Sequence, residues 1–401
     1  MRRAFEETAS LFNFRLMDPA TIEHLSVLRA KSGTDVDNEI YAFKDKGGRD
    51  VGLRFDLTVG MTRYACSRKD LKPPVKLACV GGVWRYDEPQ HARYRYHTQW
   101  DLEVYGPPSI DADAEVIDLS RSIFDRLGLG NDMVEIGDRR VIQEFITREL
   151  KMESQEKIIE MMRALDKVQK KARSALVKEY SAKGFKGGDL ERLLEFGNLR
   201  GPPKKVFSRL SELKLASARE LGELSDKLAD RGVRNYEYNL SIVRGIDYYT
   251  GVVFEVVDTG HPDLGSLCGG GRYDLLPKLF GRPDLSATGS AGGIERAALS
   301  LVKGEGQRAP LTFVAFADRD VYSSALGFSS KIRAAGVRVE VPLQDKALGK
   351  QLEDASRMGA RWTIIVGKKE LSGGVITLRD MRDRREEQIT FDAALERMKS
   401  R

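Results

Sequence analysis

Three arginines and a row of polar side chains between residues 81 and 106 form the part of this chain best suited to chemistry. The segment reads GGVWRYDEPQHARYRYHTQWDLEVYG. Arg85 follows an apolar run, and Arg93 and Arg95 follow a turn-like EPQHA, after which aromatic and polar residues alternate as far as Glu103. A guanidinium is a planar fork of donors that matches phosphate or carboxylate oxygens two at a time. Several forks beside a row of polar groups suit a site that handles a polyanion next to a small polar molecule. Other phosphate-binding devices are missing. There is no G-x-x-x-x-G-K-[ST] loop and no G-x-G-x-x-G opening a helix after a strand. The four histidines, His24, His91, His97 and His261, have no helical pairing, so no zinc site is expected. If ATP is a substrate, arginines carried on strands must hold its phosphates.

The elements that would position these residues follow from hydrophobic period. The alternation over 81–106 predicts two antiparallel strands joined by a loop. IYAFKDKGGRDVGLRFDLTV, 40–59, predicts two more strands around a KGGRD turn. Residues 1–18 read as a helix followed by an extended NFRLMDP that ends at Pro19, and Asp111 to Leu127 has helical spacing. Residues 139–235 are helix-like throughout, rich in Lys, Glu, Leu, Ala and Arg and punctuated by KGGD and RGPPKK. Strand patterns resume at Leu240. After the linker KGEGQRAP, 303–310, the tail alternates LTFVAFA, a helix from Val321 to Ala335, VRVEV, a helix from Lys346 to Met358, and WTIIVG. That βαβαβ rhythm predicts a small parallel-type sheet covered by helices.

The hairpin segment closely resembles motif 2 of the class II aminoacyl-tRNA synthetases, specifically the histidyl type in its archaeal and eukaryotic form. LSIVRGIDYYTG, from Leu240 to Gly251, and GGGRYD, from Gly269 to Asp274, resemble the two histidyl signatures. ATGSAGGIERAALSLV, from Ala287 to Val302, resembles motif 3, and residues 1–19 are similar to motif 1. The likeness spans nearly the whole chain, in the family's order. The Arg-Gly-x-Arg-Asp segment that usually precedes motif 1 is not present.

The resemblance implies an α/β fold. Its catalytic domain would be α+β, the class II antiparallel sheet flanked by helices, with a helical insertion and a C-terminal βαβ-type anticodon-binding domain. The implied boundaries are 1–138 and 236–303 for the two parts of the catalytic domain, 139–235 for the insertion and 309–401 for the anticodon domain. The implied activity is formation of histidyl-adenylate from L-histidine and ATP with Mg2+, then transfer to tRNA(His). The implied state is a homodimer built through motif 1.

The same resemblance assigns residues. Arg85 would grip the α-phosphate of ATP and Arg244 would face it from the other side, in a role other class II enzymes give to a metal ion. Asp87 would touch adenine, and Arg93 would reach the terminal phosphates and their Mg2+. His97 stands where the family commonly has a phenylalanine that stacks on adenine. Arg296 would cover the opposite face of the base or reach the γ-phosphate. Asp56, Thr58 and Gln99 match positions that accept from the histidine α-ammonium. Glu103 and Tyr249, with Tyr248 beside them, match positions that read the imidazole, and Arg244 also borders that pocket. Without the likeness the residues read more plainly. Arg85 would be a surface partner of Asp87, Arg296 a helix-surface arginine, Glu103 a solvated strand residue, Tyr249 a core residue and the Gly269–Gly271 triplet a tight turn.

Bulk properties agree with a folded, water-soluble chain of two or three domains. Its 401 residues are 31% charged and 8% aromatic. No apolar run is long enough for a membrane span. Three widely spaced cysteines, Cys66, Cys79 and Cys268, point away from a disulfide framework and toward a reducing cytoplasm. The net charge is +6, but residues 139–235 alone hold 23 Lys and Arg against 15 Asp and Glu, a net +8. Such a concentration favours nucleic-acid contact, although a solvated helical surface would look the same. Two rivals remain at this level. One is a histidine-binding regulatory paralogue without aminoacylation activity, such as the regulatory subunit of ATP phosphoribosyltransferase. The other is an RNA-binding regulator built on an inactive synthetase domain.

Overall fold

The computed structural model describes residues 1–31, 37–86, 88, 94–168, 171–243, 248–301 and 310–399. The chain folds as two compact units, Met1–Val302 and Lys303–Arg401.

The first unit contains β1 (Arg15–Leu16), β2 (Ile22–His24), β3 (Ala42–Lys44), β4 (Asp50–Leu53), β5 (Val75–Trp84), β6 (Tyr96–Gly106), β7 (Asp132–Asp138), β8 (Arg200–Gly201), β9 (Tyr236–Asn239), β10 (Val252–Asp258), β11 (Ser266–Arg272) and β12 (Ser286–Gly293). Nine of these form one sheet in the order β1-β5-β6-β12-β11-β10-β7-β9-β8, and β2, β4 and β3 form a small antiparallel sheet. In the large sheet only β1–β5 and β7–β9 pair in parallel. The predicted hairpin is β5 and β6, with Gly81 opposite Gln99 and Leu77 opposite Glu103. Asp87 and Arg93, which fall between the two strands in sequence, lie outside the described residues.

Period two on β6 sends its residues to opposite faces. Trp100, Leu102 and Val104 join a large core against the helix Ile110–Arg126, with Val116, Ile117 and Leu119 fully buried there. Gln99, Asp101, Glu103 and Tyr105 point to the other face. Among its described residues the insertion has as regular elements helices and β8, two residues that pair with β9. Its helices share the large core of the sheet, through Leu193, Leu194, Leu221 and Leu224 among others. Each fully buried leucine contributes roughly 1.5–3 kcal/mol of transfer free energy, so the basic outer faces of these helices ride on an apolar inner side.

The second unit has β13 (Leu311–Phe316), β14 (Arg338–Glu340), β15 (Ala360–Val366), β16 (Ile376–Asp380) and β17 (Glu386–Ile389) in the order β14-β13-β15-β16-β17. The three strands read from the sequence pair in parallel, β16 adds antiparallel to β15, and β17 adds antiparallel to β16. β17, paired to β16 alone, is EEQI, a charged edge strand whose polarity hides it from a hydrophobic scan. Among the described residues no helix is long and apolar enough to cross a membrane.

Candidate active site

The site face of β6 is polar and yet closed to water. Gln99, Asp101 and Glu103 are 5%, 0% and 1% exposed. Three buried polar side chains two residues apart need internal partners, because an unpaired buried polar group costs about 1–3 kcal/mol. They have them. Arg85 donates from Nε to the Phe55 carbonyl at 2.9 Å and from Nη2 to Gln99 Oε1 at 3.0 Å. Gln99 Nε2 donates to Asp101 Oδ1 at 2.8 Å, and Thr58 Oγ1 donates to Asp101 Oδ2 at 2.9 Å. Thr58 opens the helix Thr58–Ser67, and Asp56 Oδ1 accepts from the Val59 amide at 3.3 Å. A chain of hydrogen bonds thus links Arg85, Gln99, Asp101 and Thr58, and the FDLT segment is fastened to the hairpin through it. The Asp87 of the plainer pairing lies outside the described residues, and Arg85 is half-buried. Its fork points across the sheet face.

Two residues further along β6, Glu103 accepts from the Tyr273 hydroxyl. The Tyr273 ring stacks on Tyr248, with centroids 4.7 Å apart and planes at 16°, and Tyr248 meets Tyr249 edge to face at 4.8 Å. Burial, and next the charge of Glu103, raise the pKa of Tyr105, Tyr248 and Tyr273 well above the usual phenol value. All three hydroxyls therefore stay protonated at neutral pH. Glu103 is a core residue and not a solvated one.

Glycine makes the room for it. Gly289 on β12 lies opposite Glu103, and a Cβ there would stand 1.7 Å from Glu103 Oε2. The Gly269–Gly271 triplet belongs to β11 and is not a turn. At Gly270 a Cβ would meet the Gly289 carbonyl oxygen at 2.2 Å, and at Gly271 the Val252 carbonyl oxygen at 2.3 Å. These glycines let neighbouring strands approach and keep the floor beside Glu103 bare.

His97 lies on the same face, within the fields of Arg85, Glu295 and Arg296. Its pKa is lowered, first by burial and then by Arg85, with Arg296 adding to the effect. Arg296, on the helix Ile294–Leu301, donates to the Ser266 carbonyl at 2.8 Å, and its neighbour Glu295 accepts from the Thr98 amide at 2.8 Å. Arg85, His97 and Arg296 are therefore brought to one end of the site, with Glu103 and the tyrosines at the other. The depressed histidine makes a stability prediction. The unfolded chain takes up its proton first, so stability is lost as pH falls below 6.5 toward the lower folded value. Melting temperatures of H97F should show a shallower loss than wild type between about pH 7 and pH 5.

The profile named Histidyl-tRNA synthetase matches residues 1–297, and the profile named Anticodon binding domain matches residues 310–401. The chain belongs to the histidyl-tRNA synthetase family. It is 36% identical over 399 residues to a histidine–tRNA ligase of Pyrobaculum islandicum, covering 98% of this chain and 92% of that protein. It is also 36% identical to one from Thermococcus kodakarensis, covering 96% and 90%. In fold it is similar to the crystal structure of histidyl-tRNA synthetase from Nostoc sp. PCC 7120, at a TM-score of 0.83 and 23% identity over 99% of this chain and 94% of that one. A Bacillus halodurans structure titled ATP phosphoribosyltransferase regulatory subunit/histidyl-tRNA synthetase matches less closely, at a TM-score of 0.73 and 23% identity over 91% and 92%. As a member of this family the enzyme is a histidine–tRNA ligase, which activates histidine and charges tRNA.

Among the expected site residues of this synthetase, Asp56, Thr58, Arg85, His97, Gln99, Glu103, Tyr248, Tyr249 and Arg296 are described and lie on or beside the face just traced. Arg244, Asp87 and Arg93 lie outside the described residues. Arg95, the third arginine of the hairpin, sits with its guanidinium 4.7 Å from the centre of the Tyr86 ring. Two residues that complete this buried network escaped the sequence reading. Asp101 ties Gln99 to Thr58, and its signal was available, since it shares the period-two face of Gln99 and Glu103. Tyr273, inside the quoted GGGRYD, holds Glu103. No local pattern distinguishes it from an ordinary core tyrosine.

Proposed function

We propose that this face binds L-histidine and ATP, the latter with Mg2+ as part of the substrate, and that the histidine carboxylate attacks the α-phosphorus. The products would be histidyl-adenylate and pyrophosphate, and the terminal ribose hydroxyl of tRNA(His) would then take the histidyl group. One observation carries the reading: a carboxylate buried to 1% exposure, held by a tyrosine hydroxyl over a strip of bare glycine backbone. A neutral imidazole offers one N–H and one bare nitrogen. Glu103 accepts from the first, and a tyrosine hydroxyl, assigned to Tyr249 with Tyr248 beside it, donates to the second. Asp56, Thr58 and Gln99 take the α-ammonium.

The ATP end is Arg85 on the α-phosphate, with Arg244 facing it. Arg93 lies on the terminal phosphates and their Mg2+, Asp87 and His97 lie at adenine, and Arg296 lies over the base or at the γ-phosphate. No side chain in the set is a dedicated general base, so positioning and fixed positive charge supply the rate. The domain boundaries 1–138, 139–235, 236–303 and 309–401 belong to this reading, as do a cytoplasmic location and a homodimer through residues 1–19. Leu11 and Leu16, 75% and 49% exposed in that segment, support the dimer.

The intact arginine set and the anticodon-binding match favour a ligase over a histidine-sensing regulator. The deciding experiment measures charging of tRNA(His) with labelled histidine by the full-length protein. Charging that needs ATP and histidine is the expected result. Histidine binding with no charging and no pyrophosphate exchange would favour the regulator.

A further inference from the structure

The first two residues of the insertion, Arg139 and Arg140, reach back to the loop that carries the histidine-reading tyrosines. Arg139 is 8% exposed, and its guanidinium donates to the Tyr249 carbonyl. Its backbone amide donates to the Gly251 carbonyl at 3.1 Å. On the far side of the same loop, the Thr250 amide donates to the Arg272 carbonyl at 2.7 Å, and Thr250 Oγ1 donates to Asp274 Oδ2 at 3.2 Å. The segment Tyr248–Gly251 is thus held from two sides, by the start of the insertion and by the GGGRYD strand end.

Arg140 extends the linkage outward. The fully buried Asp138 caps the helix Arg139–Glu149 by accepting from the Arg140 amide at 2.8 Å. The same carboxylate accepts from Arg140 Nε at 3.0 Å and Nη2 at 2.6 Å. The remaining guanidinium nitrogen, Nη1, donates to Glu220 in the first turn of the helix Ala218–Asp230. The flat guanidinium lies close against the backbone of Gly251, where a Cβ would stand 3.5 Å from Arg140 Nε and Cζ. A helix of the insertion is therefore joined to the tyrosine loop by charged hydrogen bonds at Arg140 and Arg139, adjacent residues of one helix turn. The linkage runs from Glu220 through Arg140 and Asp138 to the first turn that places Arg139. Charge-assisted bonds of this kind are the stronger class, and a buried carboxylate such as Asp138 holds its guanidinium in one orientation.

We propose that Arg139 and Arg140 are positioning residues for histidine recognition, and that the insertion helix Ala218–Asp230 tunes the histidine affinity of the pocket through the Arg140–Glu220 bond. The inference rests on the assignment of Tyr248 and Tyr249 to the histidine pocket made above. Arg139 touches the loop and not the substrate, so its loss should loosen the imidazole site and leave the ATP end alone. Any partner that moves this helix, the tRNA substrate included, would alter histidine binding from a distance.

The test uses the full-length protein in histidine-dependent pyrophosphate exchange, with Arg139→Ala, Arg139→Lys, Glu220→Ala and the neighbouring exposed Glu223→Ala as a control. The expected histidine KM of Arg139→Ala is raised about tenfold, the worth of one charge-assisted hydrogen bond, with the ATP KM unchanged within about twofold. Arg139→Lys keeps one donor and should fall between. Glu220→Ala loses a half-exposed ion pair, so its histidine KM should rise only about threefold. Glu223→Ala should match wild type. Equal movement of both KM values, or lowered melting temperatures with unchanged KM values, would overturn the proposal. If Arg139→Ala does not fold, Glu220→Ala decides alone, and an unchanged histidine KM there is the overturning result. A wild-type protein with no histidine-dependent exchange defeats the functional reading itself, and this inference with it. An active wild type whose variants show no selective rise in histidine KM defeats the inference only.

Discussion

Gly289→Ala is expected to reduce histidine-dependent pyrophosphate exchange by about 100-fold or more, the cost of displacing a substrate-positioning group by about an ångström. The added Cβ would lie 1.7 Å from Glu103 Oε2, 2.5 Å from its Cδ and 2.6 Å from the Leu102 carbonyl oxygen. The backbone carbonyl has little room to move within the β6–β12 pairing. The carboxylate must therefore leave its bond with Tyr273, and the proposed imidazole acceptor goes with it. The proposed ATP end lies elsewhere on the face, around Arg85, so the ATP KM should change by no more than a few-fold. Ser290→Ala, one residue along and on the opposite face of the same strand, should leave exchange near the wild-type rate. Melting curves measured alongside separate lost geometry from lost fold. A Gly289→Ala protein that melts normally and activates histidine normally would remove Glu103 from the pocket.

Arg85→Lys is expected to lower kcat for exchange by roughly 10²–10³-fold, the usual cost of one preorganised donor to developing negative charge. The guanidinium spends one N–H on the Phe55 carbonyl and another on Gln99 Oε1, which aims the rest of the fork along the face. A lysine carries the charge as a point on a flexible stem and cannot hold both bonds while presenting a planar edge. The loss should fall mainly on kcat, because the fork matters most when the α-phosphate becomes pentavalent. Gln99 would also lose its partner, and through Asp101 the disturbance reaches Thr58, so a smaller rise in histidine KM should accompany it. Arg85→Lys with wild-type kcat would show that the α-phosphate is held without this residue.

Much of this architecture was legible because hydrophobic period and site chemistry coincide on one strand. The alternation that predicted β6 also predicted which of its side chains share a face. Chemistry at Gln99 and Glu103 was then read from their place in a known motif. Asp101 sat between them, on the same face by the same period, and was passed over because buried carboxylates carry no sequence label. The glycine triplet was ambiguous for the opposite reason. Three consecutive glycines fit a turn as well as a crowded strand, and the pairing of β11 with β10 and β12, so tight that an added Cβ would stand 2.2 Å and 2.3 Å from the Gly289 and Val252 carbonyl oxygens, shows which applies. The insertion was visible as composition and helical period, but not its attachment. Nothing in RR at the end of a strand says that one arginine will reach Tyr249 and the other Glu220. In the C-terminal unit the apolar parallel strands announced themselves, and the charged edge strand β17 did not.

The proposed recognition of histidine rests most heavily on Glu103 as the acceptor of the imidazole N–H, and one comparison tests that role most directly. Amino-acid-dependent pyrophosphate exchange is measured for wild type and for Glu103→Gln, with histidine and ATP titrated separately. An amide in place of the carboxylate presents a donor face to Tyr273 or to the ring, a mismatch worth about 1–3 kcal/mol when buried. The expected result is exchange driven by histidine in the wild type, and a fall in kcat/KM for histidine of about 10- to 100-fold in the variant with the ATP KM nearly constant. A folded Glu103→Gln enzyme with unchanged histidine kinetics would contradict the assignment.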